Sequence, residues 1–297
     1  MKPNKKRPTA KRTKQPETRN LPWEGTLTAT ALFLTALLWV SSFFPEERLW
    51  GFNHGAYFPL WLRTMVVAFG LVVFVPPINR KLQSLLKRSV VAAFDHLVMR
   101  QRYSGYLFAG AISLLAFYLL RTQTQLLGDG FQIVQRINAG SLSLHWSQPL
   151  AIWIYLTSFD LLGPIFNLDG ATLYALVSYL SGVIYVVLAL RMAVFLGRDS
   201  STRLFTFLIL MLMGGTQLFF GYAEHYPLLY SGLLMYLFYS LKYLRGEAKI
   251  LAPLAIFIVL VPLHFSSLSL IPSLVLLFLL KGERKVTKQD FSAIASK

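Results

Sequence analysis

Residues 150–166, LAIWIYLTSFDLLGPIF, decide how this chain is read. The run is apolar but short, it holds Asp160, and it ends at Gly163-Pro164. Before it lies the polar stretch Arg121–Pro149, RTQTQLLGDGFQIVQRINAGSLSLHWSQP; after it come further hydrophobic runs. Hydrophobic residues make up 55% of the 297-residue chain and charged residues only 14%, against about 25% charged in soluble domains. Apolar runs at 26–44, 58–78, 105–120, 171–190, 204–222 and 227–244 approach the roughly 20 residues that cross a bilayer. The run 250–280 is too long for one crossing. Pro262, His264, Ser266, Ser267 and Pro272 interrupt it, so it divides into two short spans near His264.

Charge then decides what 150–166 does. If it crosses, every later loop changes side, and Lys and Arg spread evenly over both faces. If it enters and returns, or lies in the interface, about eight spans result and both termini share one face. In that arrangement 25 of the 29 Lys and Arg residues are inside, and only Arg48, Arg63, Arg121 and Arg136 are outside. The positive-inside rule selects this arrangement. The expected fold is an all-α polytopic membrane protein of about eight transmembrane helices with a re-entrant or interfacial segment at 150–166. Such a segment must be covered by protein or line a wet cavity, which sets it beside the loop that carries Asp129.

The formal net charge of +16 does not signal nucleic acid, because the basic residues sit in tails and short loops, as charges facing a cytoplasmic leaflet do. With no cysteine, disulfides and thiolate metal sites are excluded. Residues 1–24 hold eight Lys and Arg, two Glu and four Pro. They read as a disordered cytoplasmic tail that sets topology, with contact to membrane lipids as a further use. The apolar run that follows exceeds a signal-peptide core and lacks a small-residue cleavage site, so it reads as an uncleaved anchor. The chain divides into the tail 1–24, two spans and a basic loop at 25–104, a transmembrane module at 105–280 and a basic tail at 281–297.

This topology gathers polar residues on the outer face. Glu46, Glu47 and His54 lie in the first outer loop, and Arg121, Asp129, Arg136 and His145 in the second. Glu224 and His225 occupy a tight turn before Pro227, and His264 lies in the last outer loop. Ionisable groups at a membrane edge are functional candidates. Each also has a plain reading. Asp129 between Gly128 and Gly130 suits a turn. Glu224 and His225 suit a solvated hairpin, and His264 suits a helix break. His145 and Trp146 suit interfacial anchors.

In order and placement, the span 105–120, the Gly128-Asp129-Gly130 loop and the segment His145-Trp146-Ser147-Gln148-Pro149-Leu150 resemble the opening module of GT-C type membrane glycosyltransferases. Gly130 stands where members commonly carry a second acid, so the resemblance is to a divergent or truncated member. The likeness implies a bacterial inner-membrane enzyme that transfers a sugar from a polyprenyl-phosphate donor to an extracytoplasmic acceptor. It implies catalytic roles for Asp129, Glu224 and His225, with Asp129 as the base. Substrate contacts would come from Arg121, Arg136, His145, His264 and Trp153, with Trp153 and Tyr155 stacking a sugar or excluding water. Mg²⁺ or Mn²⁺, if used, would fall to Asp129 and Glu224, since oxygen ligands suit those ions. A multispan transporter is the first rival reading, although few ionisable residues fall near mid-membrane. A non-catalytic membrane scaffold or fragment is the second.

Overall fold

The computed structural model describes residues 24–44, 46, 52–100, 102–123 and 129–280. The two basic tails, Glu47 and the side chain of His54 lie outside the described residues. Among those described, regular structure is entirely helical. The chain forms two compact units, residues 1–86 and 87–297.

In the first unit, α1 (Glu24–Ser41) is followed by a 3₁₀ turn (Phe52–Tyr57), α2 (Leu60–Val73) and α3 (Pro76–Leu86). The expected span 58–78 stops early, because Pro76 cannot donate to the carbonyl behind it and disfavours helical geometry at Val75. Arg63 is explained by its neighbours. Its guanidinium donates to the Ser42 carbonyl at 2.6 Å and lies over the Phe43 ring, closing the end of α1.

The second unit begins with π turns at Lys87–Val91 and His96–Arg100 around α4 (Ala92–Asp95). It continues through α5 (Arg102–Leu119), α6 (Gly130–Asn138), α7 (Pro149–Phe166) and α8 (Gly170–Leu196). Then come α9 (Ser200–Leu212), α10 (Tyr226–Leu244), α11 (Leu251–Leu263) and α12 (Ile271–Leu279). The central element is α8, apolar on all sides and packed by α5, α9 and α10. Small residues let its neighbours come close, as at many helix contacts in lipid. A Cβ at Gly182 would stand 2.5 Å from the Phe117 ring, and Ser231 donates to the Ser181 carbonyl at 2.7 Å.

Eight crossing helices are not supported. Among the described residues two helices, α7 and α8, are long and apolar enough to cross a membrane, or three if α2 and the bent helical run after it count as one. Local chemistry accounts for the difference. The expected span 204–222 ends at Leu212, where Gly214-Gly215 begins a 3₁₀ turn and the Thr216 hydroxyl takes over the carbonyls of Met211 and Met213. The run 250–280 divides at His264, as Pro262 and Pro272 require. The re-entrant form of 150–166 is also corrected: α7 runs unbroken from Pro149 to Phe166 and does not turn back. Its only internal proline, Pro164, sits in the last turn.

The two ends of this unit differ in chemistry. At one, Arg203 pairs with Asp95 at 2.7 Å, and Arg245 donates to the Phe195 carbonyl and stacks on its ring. At the other, Tyr174 meets His225. Along α8, residues 174 and 195 are roughly 30 Å apart at helical rise, about the thickness of a hydrocarbon core.

Candidate functional site

Among the described residues of this unit three aspartates stand at helix N-caps, and two of them cap. Asp169 accepts from the Thr172 N–H at 2.8 Å, and Asp199 accepts from Ser201 and Thr202 at 2.9 and 3.0 Å. Those bonds hold both carboxyls below the usual carboxylate range. Asp129 precedes α6 but makes no side-chain capping bond to it. The residue instead lines a cavity of about 430 Å³, within the roughly 300–1,000 Å³ of small-molecule sites.

One wall of the cavity is α6. Asp129, Gln132, Ile133 and Arg136 are spaced i, i+3, i+4, i+7, so they share one helical face. Asp129 and Arg136 thus stand about 10 Å apart along the helix, opposite charges at either end of the wall. The flank of the same helix carries Ile133 and Ile137 into the core. At this end Gly170 starts α8 against α6: its N–H donates to Asn138 at 2.7 Å, and a Cβ there would collide with Ile137. The loop after α6 adds Ser141, Ser143, His145, Ser147 and Gln148 to the lining. The His145 ring and the Ser147 hydroxyl lie 2.7 Å apart, and the Ser147 carbonyl accepts from the Phe265 N–H at 2.7 Å. That bond ties the loop to the 264–270 turn.

The floor is the turn 221–227. Gly221 has φ +76° and donates to the Ser178 hydroxyl, and a Cβ there would stand 2.9 Å from the Tyr179 hydroxyl. Beneath the turn, Tyr155 and Tyr174 stack with centroids 3.9 Å apart. Tyr155 donates to the Glu224 carbonyl at 3.1 Å, and the Tyr174 hydroxyl lies 2.8 Å from His225 Nε2. Only 4% of His225 is exposed. Burial first, and then the His264 charge, lower its pKa to about 4 against an ordinary 6.5, while Asp129 pulls the other way. His225 is therefore neutral at pH 7 and does not act as a cation. Burial raises the Glu224 carboxyl, and the Asp129 charge adds to that. Backbone N–H groups of Asp129 and His225 oppose the rise by donating to Glu224.

The expected residues are thus sorted. Asp129, Arg136, His145 and His225 share the cavity lining. Glu224 adjoins it through the Asp129 backbone, and His264 stands behind His225, with its ring 5.2 Å from Tyr226. Two residues lie elsewhere: Arg121 rests on the Tyr118 ring, and Trp153, 54% exposed, is not in the lining. Tyr155 is fully buried and stacks on Tyr174, so it cannot offer its face to a sugar. Sequence reasoning passed over Gln132 and Tyr174. The signal for Gln132 is its spacing from Asp129. The signal for Tyr174 is a hydroxyl in an apolar helix that needs a partner.

Among the described residues, no three of His, Cys, Asp or Glu gather to hold a metal ion. Asp129 and Glu224 would supply two carboxylates, and Glu224 is already engaged by backbone N–H groups. Among the described residues that donor set does not form a metal cage.

Set against family models, curated proteins and solved structures, the chain matches none.

Proposed function

We propose that the cavity transfers a sugar from a polyprenyl-phosphate carrier to an acceptor hydroxyl. One observation carries the reading: an aspartate at a helix N-cap makes no capping bond with its carboxylate and lines a polar cavity, with an arginine on the same helical face. In this scheme Asp129 accepts the acceptor's proton as the hydroxyl oxygen attacks the anomeric carbon. The bond from that carbon to the carrier phosphate breaks, and the phosphate leaves with the electron pair. Arg136 offsets the charge that builds on it. Glu224 and His225, expected to act chemically, become positioning residues: Glu224 holds the Asp129 backbone, and neutral His225 links the turn to Tyr174.

The membrane setting follows the same lines. In α5, α8, α10 and α11 the charged residues are Arg102, Arg191 and Lys242, each toward the end away from the cavity. That pattern supports a site at one membrane face over a transport path with charges midway. We place the cavity on the extracytoplasmic side and the basic end in the cytoplasm, in a bacterial inner membrane. We further take α7 as lying along the interface. Tyr155, early in α7, meets Tyr174 near the start of α8, and only 22% of α7 is buried, against 61% of an 18-residue apolar stretch of α8. Exposed Trp153 then serves as an interfacial anchor.

The test is turnover. Membranes carrying the protein are given labelled polyprenyl-phosphate sugar, and transfer to extracytoplasmic acceptors is followed. Arg136→Gln should lower transfer by about 10²-fold with folding intact. A wild-type rate in that variant would remove Arg136 from the scheme.

A further inference from the structure

In the first unit, α2 ends in a built corner. The helical run that begins at Pro76 leaves α2 at 90°. The prolines stop α2, and Asn79 closes the gap. Its side-chain N–H donates to the Val73 carbonyl at 3.0 Å, and its backbone N–H donates to Val75 at 2.9 Å. Gln83 donates to the Asn79 side-chain oxygen at 2.6 Å. The Asn79 amide thus ties the end of α2 to the start of α3, and Gln83 holds that amide in place.

Beyond the corner, α3 is two-faced. At 100° per residue, Ile78, Leu82, Leu85 and Leu86 fall within an arc of about 100°, with Arg80, Lys81, Gln83 and Ser84 on the remainder. Ile78, Leu85 and Leu86 are 42%, 55% and 41% exposed. The helix that precedes it is apolar and outward-facing, with Met65, Val66 and Phe69 each more than 60% exposed. At the far end of α2 stand Tyr57, Phe58 and Trp61, also exposed. Aromatic and cationic residues both gather at membrane–water interfaces, and α2 qualifies as a membrane segment only together with the helical run after it. A right-angle turn at the cationic end then lays α3 in the plane of the bilayer.

We propose that α3 is a membrane-surface helix that sinks its Ile78–Leu86 face among acyl chains and gathers anionic phospholipid headgroups around Arg80 and Lys81. Lys81 stands at the edge of the apolar arc, where its stem lies on hydrocarbon and its ammonium reaches phosphate. Lys87 and Arg88 follow in the sequence. The inference does not depend on the chemistry of the cavity and shares with it only the membrane setting.

The chain has no cysteine, so single labels are clean. Full-length Phe69→Cys, Leu82→Cys and Ser84→Cys variants carry a nitroxide in vesicles of phosphatidylcholine and phosphatidylglycerol. Positions 69 and 82 should be accessible to oxygen, 69 more deeply, and position 84 to a water-soluble nickel complex. Nickel access at 82 equal to that at 84, or shielding of both from both reagents, overturns the proposal. Nickel access at 69 as well would overturn the membrane setting itself. In a second arm a fluorophore at 84 transfers energy to acceptor-labelled phosphatidylglycerol or phosphatidylcholine. Anionic acceptor should be enriched, by up to ~5-fold per cation, and Arg80→Gln with Lys81→Gln should abolish that excess. Equal transfer from both lipids in the wild type, or an excess unchanged in the double variant, refutes the headgroup role.

Discussion

Removing one oxygen atom from Tyr174 tests how the cavity floor is held. Its hydroxyl lies 2.8 Å from His225 Nε2, and that bond is buried. Tyr174→Phe deletes the bond and keeps the ring, so the 3.9 Å stack on Tyr155 survives. His225 is then left with a buried polar nitrogen and no hydroxyl opposite it. Leaving such a group unpaired costs about 1–3 kcal/mol. For a unit of about 200 residues each kcal/mol lowers Tm by roughly 2–4 °C, so a fall of several degrees is expected. The assay is thermal unfolding of purified protein in detergent, run as a cycle with His225→Gln. If the two side chains act as one unit, the double variant loses less than the sum of the singles, by about 1 kcal/mol. Strict additivity, or an unchanged Tm in Tyr174→Phe, would refute the proposed tether.

Further expectations follow from the same geometry. His225 has its pKa lowered from 6.5 to about 4, so its neutral form belongs to the folded state. The unfolded chain takes up that proton first, so stability falls as pH drops through this window, by up to about 3 kcal/mol. Thermal scans at pH 7 and pH 5 should show the loss, and His225→Gln should flatten it. Gly221→Ala forces a Cβ at φ +76° within 2.9 Å of the Tyr179 hydroxyl and should cost about 1–3 kcal/mol. Gly214→Ala meets nothing within 4 Å and should leave Tm nearly unchanged. Asp169→Ala should cost about 1 kcal/mol by removing a helix cap, while Asp129→Asn should cost little, because its carboxylate caps nothing.

Much of the cavity was legible in the sequence, and the reasons are local. Asp129 and Arg136 sit seven residues apart on one short helix, and His145 follows in the adjoining loop. Glu224 and His225 are confined by Gly221 and Pro227, so a tight turn was the one geometry open to them. What the sequence hid was direction. Arg121 and Trp153 belong to the right segments, but their side chains leave the cavity, and no spacing rule reveals that. Tyr155 and Tyr174 look like ordinary apolar helix residues until their stack is seen. The span count failed for a different reason. Hydropathy counts apolar residues and passes over breaks such as Pro76-Pro77, Gly214-Gly215 and Pro262, which shorten α2, α9 and α11 to 13 or 14 residues.

The central claim is that the Asp129 carboxylate is the base of a glycosyl transfer. Its most direct test is the transfer rate of Asp129→Asn in membranes fed labelled polyprenyl-phosphate sugar, with Tm measured on the same preparation. The account predicts an unchanged Tm and a loss of transfer of at least about 10²-fold. A wild-type rate with the carboxylate gone would contradict it.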